Sequence, residues 1–245
     1  APNPAMGARI RYWLGSDAEG VTLAVTDPTG NPIRTLDAPG TAGMNEVLWD
    51  LRVVEEMTDG TSMDPGPRAM PGTYIVELTV GSDIVQTEVM VRLDPRYELV
   101  RRPMMARHLA MLESYRLSGP FDRAEGRLEH AGDLVDSVEE LLGDRATEGL
   151  TAEIEAVRAS IDELEEALDR SGDGAGVWRR IESVTGPPNA DSMFWLERSW
   201  EELPGVFDRI DAFMDGELAT LLRQVYTEAA MPDLGDPIPA PNRAG

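Results

Sequence analysis

The hydrophobic period of this 245-residue chain changes once, from two to about three and a half, and that change restricts the fold more than any other feature. Before residue 95 apolar side chains alternate. Ile10, Tyr12 and Leu14 share one face of a segment, and Val21, Leu23 and Val25 share one face of the next. Val47, Trp49 and Leu51 repeat the pattern, as do Tyr74, Val76, Leu78 and Val80. Val85, Thr87, Val89, Val91 and Leu93 close the set. Asp27-Pro28-Thr29-Gly30-Asn31 and Gly81-Ser82-Asp83 are turn sequences between strands. Short alternating strands with no helix between them predict an antiparallel β-sandwich over 1–95. Residues 53–72, with Pro65, Pro67 and Pro71, read as a surface loop.

Asp94-Pro95-Arg96 marks the boundary. Beyond it, Phe121, Ala124, Leu128, Ala131, Val135, Val138 and Leu142 are spaced alternately three and four apart. Leu150, Ile154, Val157, Ile161, Leu164 and Leu168 do the same. Such heptad seams predict two helices packed at a small crossing angle as an antiparallel hairpin. Thr147 is a start signal, and Gly143 and Gly172 are stop signals. A first helix is expected over 103–117, and two more over 189–203 and 205–230. Ser171-Gly172-Asp173-Gly174-Ala175-Gly176 reads as a flexible linker. The predicted class is therefore α+β: an N-terminal antiparallel sandwich at 1–95, an all-α antiparallel bundle at 96–230, and a Pro-rich tail at 231–245.

Charge narrows the partners. The chain carries 45 acidic residues against 22 basic ones, a net of −23, and every basic residue is arginine. That field repels phosphate backbones and anionic lipid surfaces, so nucleic acid is disfavoured as a partner. No apolar run is long enough to span a bilayer. With no cysteine there is no disulfide, thiolate nucleophile or cysteine metal site. The chain opens on Ala1-Pro2-Asn3-Pro4, so a removed leader or a preceding domain is expected.

Catalytic patterns are missing from the sequence. His108 and His130 stand far apart and outside any His-Glu-x-x-His arrangement, and read as helix-surface residues. Neither a nucleophile elbow nor a phosphate-binding glycine loop occurs. Glu163, Glu165 and Glu166 read as a solvated helix face, although a paired-carboxylate site is not excluded by residue type. Asp17, Glu19 and Asp27 lie in turns without calcium-loop spacing. The expectation is no enzyme, no cofactor and no metal.

The aromatic residues carry more information. Trp49 is in phase with Val47 and Leu51 and is expected in the core. Trp13 is out of phase with Ile10, Tyr12 and Leu14, and shares its face with Arg9 and Arg11. It is either covered by the helical half or exposed for binding, where Trp and Arg are enriched. Met193, Leu196, Trp200 and Leu203 define one helix face, leaving Phe194 and Trp195 to pack elsewhere or to anchor a partner. Trp178 with Arg179 and Arg180 forms a third candidate cluster.

Gly43-Met44-Asn45-Glu46-Val47-Leu48-Trp49-Asp50-Leu51-Arg52 resembles the Gly-x-Asn-x-x-x-Trp-Asp strand of Ig-like domains related to the flagellar hook-cap protein. Gly66-Pro67-Arg68-Ala69-Met70-Pro71-Gly72-Thr73-Tyr74 is similar to the loop and Pro-Gly-x-Tyr strand that follow. In secreted bacterial proteins with sortilin-like or sialidase-like β-propellers, such a domain and a helical region close the chain. Thr185-Gly186-Pro187-Pro188-Asn189-Ala190-Asp191, Trp195-Leu196-Glu197-Arg198 and the tail from Met231 to Pro239 resemble that closing region. The propeller is absent here, so its hydrolase activity does not carry over. The resemblance implies a docking role outside the cytoplasm. The expected function is a non-catalytic periplasmic or secreted subunit that binds other protein subunits and braces a larger, membrane-bound assembly. A membrane-extrinsic subunit of a bacterial photosynthetic reaction-centre–antenna complex would suit that layout, as a brace without pigment. The alternatives are an accessory module of a propeller hydrolase and a carbohydrate-binding module.

Overall fold

The computed structural model describes residues 6–54, 65–93, 101–184, 186–226 and 234–240. The chain divides into two compact units, 1–109 and 110–245.

The first unit holds six strands: β1 Ala8–Leu14, β2 Thr22–Thr26, β3 Pro32–Asp37, β4 Gly43–Trp49, β5 Gly72–Val80 and β6 Asp83–Val91. All pair antiparallel, β1 with β4 as one sheet and β3-β2-β5-β6 as another. The alternation read from the sequence sets which face is buried. Ile10 and Leu14 of β1, Leu23 and Val25 of β2, Val47 and Trp49 of β4, and Tyr74 and Val76 of β5 all point inward. The two sheets meet where the Trp49 ring lies edge-on to Tyr74, with centroids 5.2 Å apart, a favoured aromatic geometry. Each ring satisfies its polar atom at the rim of the core. Trp49 Nε1 donates to the Arg52 carbonyl at 3.1 Å, and the Tyr74 hydroxyl donates to the Met70 carbonyl at 2.7 Å.

Three expectations for this half need correction. Leu51 does not continue the strand. β4 ends at Trp49, Asp50 accepts the Arg52 N–H at 2.9 Å, and Leu51 turns the chain at φ 62°. A left-handed non-glycine residue costs about 1 kcal/mol or more, so the tethers on either side are what hold it. The ends of the expected surface loop are not loose either. Val53 and Ala69 are buried, and Val53 exchanges backbone hydrogen bonds with Gly66 and Pro67. Residues 55–64 lie outside the described residues. Finally, β6 is an edge strand with solvent-exposed Val85 and Thr87, not a core strand. Its expected core face has no described strand opposite it, because the facing sheet has two strands among the described residues.

Asp27 organises the β2–β3 turn. Its carboxylate accepts from the Thr29 and Asn31 N–H groups, the Thr29 hydroxyl and the Asn31 amide, at 2.7–2.9 Å. Slight burial pushes this carboxyl up, but the four hydrogen bonds outweigh that and hold it down at about 2.

The helical elements are α1 Arg101–Leu142, α2 Glu148–Gly172, α3 Val177–Ser183, α4 Ala190–Phe213 and α5 Ala219–Val225. Both heptad seams are realised: Ala124, Leu128, Ala131, Val135 and Val138 of α1, and Ile154, Val157, Ile161, Leu164 and Leu168 of α2, are buried. Thr147 caps α2 by accepting the Leu150 N–H, and Asn189 caps α4 by accepting the Ser192 N–H. Contacts between helices fix the directions. Arg158 of α2 reaches Asp136 and Glu139 of α1, and Gly172 of α2 lies against Phe121 of α1. Arg209 of α4 reaches Glu163 of α2, and Ser171 reaches Glu202. In each set, rising numbers on one helix match falling numbers on the other, so α2 runs antiparallel to α1 and to α4.

The helix boundaries expected at 117 and 203 are not boundaries. The predicted helix at 103–117 and its successor are one helix, with Pro120 inside and buried. The predicted break at Pro204 lies inside α4. Each proline removes one backbone donor, but the buried seam continues on both sides through Leu117 and Ala124, and through Leu203 and Val206. One π-helical turn, Met214–Leu218, joins α4 to α5, and both of its end residues are buried.

The glycine-rich stretch is also not a flexible linker. Ser114 of α1 donates to the Gly174 carbonyl at 2.6 Å and accepts the Trp178 N–H at 2.9 Å. Ser118 donates to the Ala175 carbonyl at 2.7 Å, and Ser199 of α4 accepts the Gly174 N–H at 2.9 Å. A Cβ on Gly172 would lie 2.1 Å from the Phe121 ring, and one on Gly174 would lie 2.5 Å from the Trp195 carbonyl oxygen. The glycines are there because the helices approach too closely for a side chain. The tail residue Ile238 is buried too, and its N–H points at Asp211, which is paired with buried Arg127 of α1.

Gly174→Ala is expected to destabilise the protein by about 1–3 kcal/mol through overpacking against fixed backbone, whereas exposed, unobstructed Gly126→Ala should stabilise it by about 1 kcal/mol; denaturant titrations of both variants check this. Acid titration tests the turn. Asp27 has a depressed folded-state pKa, so its contribution is complete above the ordinary value of 3.8 and is lost as the pH falls towards about 2. Asp27→Asn should flatten stability against pH in that window.

Candidate functional site: an exposed aromatic face on the β1–β4 sheet

β1 and β4 pair in a register that sets Arg9 opposite Leu48, Arg11 opposite Glu46 and Trp13 opposite Met44. These six residues project from the outer face, because their neighbours Ile10, Leu14, Asn45, Val47 and Trp49 occupy the inner one. Trp13 is 69% exposed and Met44 67%, so a large aromatic ring and a flexible thioether stand side by side in solvent. Leu48 extends the apolar surface at the other end of the pair. Glu46 lies between the arginines, 2.7 Å from Arg11 Nε and 3.6 Å from Arg9. The hydrogen bond from Arg11, helped by the positive charge of Arg9, holds its carboxyl below the usual range. The carboxylate therefore stays charged and aligns both guanidinium groups along the sheet.

Rigid supports lie beneath this face. Asn45 is buried and its amide donates to the Thr41 carbonyl at 2.8 Å. The Tyr12 hydroxyl donates to the Pro39 carbonyl at 2.5 Å, and Asp17 accepts the Ala42 N–H at 2.7 Å. These bonds tie the chain entering β4 to β1, so the outer residues are displayed on a fixed platform.

The second unit has its own aromatic surface. Phe194 is 59% exposed and meets half-buried Trp195 edge-on, with centroids 5.1 Å apart. Arg198 lies over the Trp195 ring at 5.6 Å, a cation–π contact one helical turn along α4. Met193 does not join Leu196 and Leu203 in the core; it stays partly exposed, and Ser192 and Ser199 take the inward positions.

Trp178 is the clear correction among the expected site residues. It is 5% exposed, edge-on to Tyr115 of α1. The short α3 rotates it inward and leaves Arg179 and Arg180 outside, with the Arg179 guanidinium 4.6 Å above the indole. It is core, not surface. Arg9, Arg11 and Trp13 are gathered on one face; Phe194 and Trp195 form a separate pair on the other unit. Sequence reasoning missed Met44, Glu46 and Leu48. Their signal was present, since they alternate with inward Asn45, Val47 and Trp49, but only pairing shows that they flank Trp13.

Among the described residues, no group of three or more His, Asp or Glu could hold a metal ion. Glu163 and Arg209, in a shallow depression between α2 and α4, pair with each other, and Glu217 beside them accepts from Ser160. No described helix is long and apolar enough to cross a membrane. Comparison with known proteins adds no constraint: no family model, curated protein or solved structure matches the chain.

Trp13→Ala should change folding stability by no more than about 0.5 kcal/mol, as for exposed positions generally. Trp178→Ala should cost about 3–5 kcal/mol. Trp178→Phe should cost much less, because the indole N–H has no hydrogen-bond acceptor among the described residues. Thermal unfolding of the three variants distinguishes display from core.

Proposed function

We propose that this chain is a non-catalytic interaction subunit that works outside the cytoplasm and docks on another protein of a larger assembly. In this reading the first unit is an Ig-like sandwich and the second an antiparallel helical bundle. The observation that carries the proposal is the outer face of β1 and β4. A monomer rarely leaves a Trp and a Met side by side in solvent on a braced sheet, with a Leu beyond the next cross-strand pair, and such patches mark binding surfaces. Trp13 is the anchor, Met44 and Leu48 adapt to the partner, and the Arg9–Glu46–Arg11 row supplies a polar border. The arginines also make this face locally more basic than the strongly acidic chain around it.

The resemblance of residues 43–52 and 66–74 to Ig-like accessory domains supports the docking role and the location outside the cytoplasm. It equally supports the alternative of an accessory module from a propeller protein. A carbohydrate-binding module is less favoured, because Trp13 is the only aromatic residue among the six on the outer face, and sugar-binding sheets stack several.

The test is isolation of the native complex, followed by reassembly with variant chains. Trp13→Ala should weaken assembly about 30-fold, the effect of a 2 kcal/mol hot spot, while the isolated chain keeps its fold. Met44→Ala should have a smaller effect in the same direction. Full assembly by Trp13→Ala, or turnover of a substrate by the purified chain, overturns the reading. Binding of a glycan that depends on Trp13 would favour the carbohydrate module instead.

A further inference from the structure

β6 presents a second surface, unrelated to the Trp13 face. One side of this strand pairs with β5, and the other side has no partner strand among the described residues. It runs nine residues without Pro, and its pairing with β5 has no bulge, so two of the devices that normally protect an open edge are missing; the charges it carries are Asp83 at its start and Glu88. Ile84, Val85 and Met90 are each 60% exposed or more. An edge of this kind is a template for another strand.

The order of residues in β6 indicates which strand. Placed antiparallel to a second copy with Thr87 opposite Thr87, Val85 faces Val89 and Ile84 faces Met90. Gln86 then faces Glu88. Every apolar residue in this span meets an apolar one, on both faces of the ribbon. The sole acidic residue within 84–90 meets an amide. Gln86 already donates one N–H to Glu77 of β5 at 2.6 Å, and its second N–H remains for Glu88 of the other copy. The adjacent two-fold registers lack this match. Centring on Glu88 sets two carboxylates against each other. Centring on Gln86 puts Ile84 against Glu88 and Val89 against Asp83, whereas centring on Thr87 leaves an acid facing an apolar residue only at the strand ends, Asp83 against Val91. Cross-strand pairs of like charge destabilise, so the register is specified.

Charge agrees with the choice. Residues 110–245 carry 30 acidic side chains against 12 arginines, and residues 1–109 carry 15 against 10. β6 belongs to the weakly charged unit.

We propose that two copies of this chain associate through β6, antiparallel and centred on Thr87, doubling the four-stranded sheet. The pairing uses backbone hydrogen bonds and needs no residue of the Trp13 face, so either can fail without the other.

The natural absence of cysteine makes the register directly testable. In Thr87→Cys the two thiols lie opposite each other within disulfide reach, and mild oxidation should give a covalent dimer. In Ile84→Cys the thiols are six residues apart along the ribbon, about 20 Å, and should stay unlinked. Adding Met90→Cys to that variant should restore the link. In sedimentation velocity the unmodified chain should shift from monomer to dimer with concentration, and more readily at high salt, which screens the acidic repulsion. Thr87→Lys should abolish the dimer with an unchanged circular dichroism spectrum. A chain that stays monomeric and whose Thr87→Cys form does not cross-link overturns the proposal, leaving the edge to a strand from a different protein. Equal cross-linking of Thr87→Cys and Ile84→Cys, or a dimer that survives Thr87→Lys, also overturns it.

Discussion

A buried backbone turn must find hydrogen bonds away from water, and in the second unit that requirement is met at residues 171–178 by three serines from neighbouring helices. Ser114 and Ser118 of α1 and Ser199 of α4 reach the Gly174 and Ala175 carbonyls and the Gly174 and Trp178 N–H groups. Each such group left unmade in the interior costs about 1–3 kcal/mol. The contact forms only because Gly172 and Gly174 let Phe121 and the α4 backbone close in. Once the turn is seated, α2 is directed back along α4, and α3 brings Trp178 onto Tyr115. The ion pairs of Arg158 and Arg209 are exposed and individually worth little. The turn and the heptad seams give the unit its order.

The first unit is organised by unequal sheet widths. Trp49 and Tyr74 meet at the centre, where both sheets are present. A two-stranded sheet has no described partner strand opposite β6, so apolar residues at that edge stay in solvent. On the other side of the β1–β4 sheet, Trp13 and Met44 stay in solvent for a different reason: the alternation turns them away from the core. Two apolar surfaces thus arise from two causes, the lack of a described layer opposite β6 and the outward half of the β1–β4 alternation. One surface is rigid, short and bordered by arginines, and suits a partner of different kind. The other is an extended backbone edge with a symmetric sequence, and suits its own copy.

Much of this was legible in the chain. Alternation located β1, β2, β4 and β5 and assigned Trp49 to the core, because a strand buries every second residue whatever lies across from it. The two heptad seams located α1 and α2, because a helix stripe has a fixed spacing. Thr147 and Asn189 mark helix starts through local capping, which involves neighbours only a few residues away. That Arg9, Arg11 and Trp13 share one face followed from the same parity, but not that the face is exposed. Other features were not legible. Pro120 and Pro204 look like helix ends by local preference, but packing on both sides outweighs one lost donor. Trp178 looked like a surface residue beside two arginines, and a short helix turns it inward.

The sequence by itself determined the periods: which stretches are strands, which are helices, and which side of each is apolar. That information is local, carried by residues two, three or four apart. Tertiary structure decided what covers each apolar side. It buried the glycine turn because serines far along the chain were placed to satisfy it. It left the side chains of β6 exposed although their pattern matches that of buried strands, because burial depends on the layer opposite and not on the strand itself. It joined Trp13 to Met44, Glu46 and Leu48, which only strand register brings within reach.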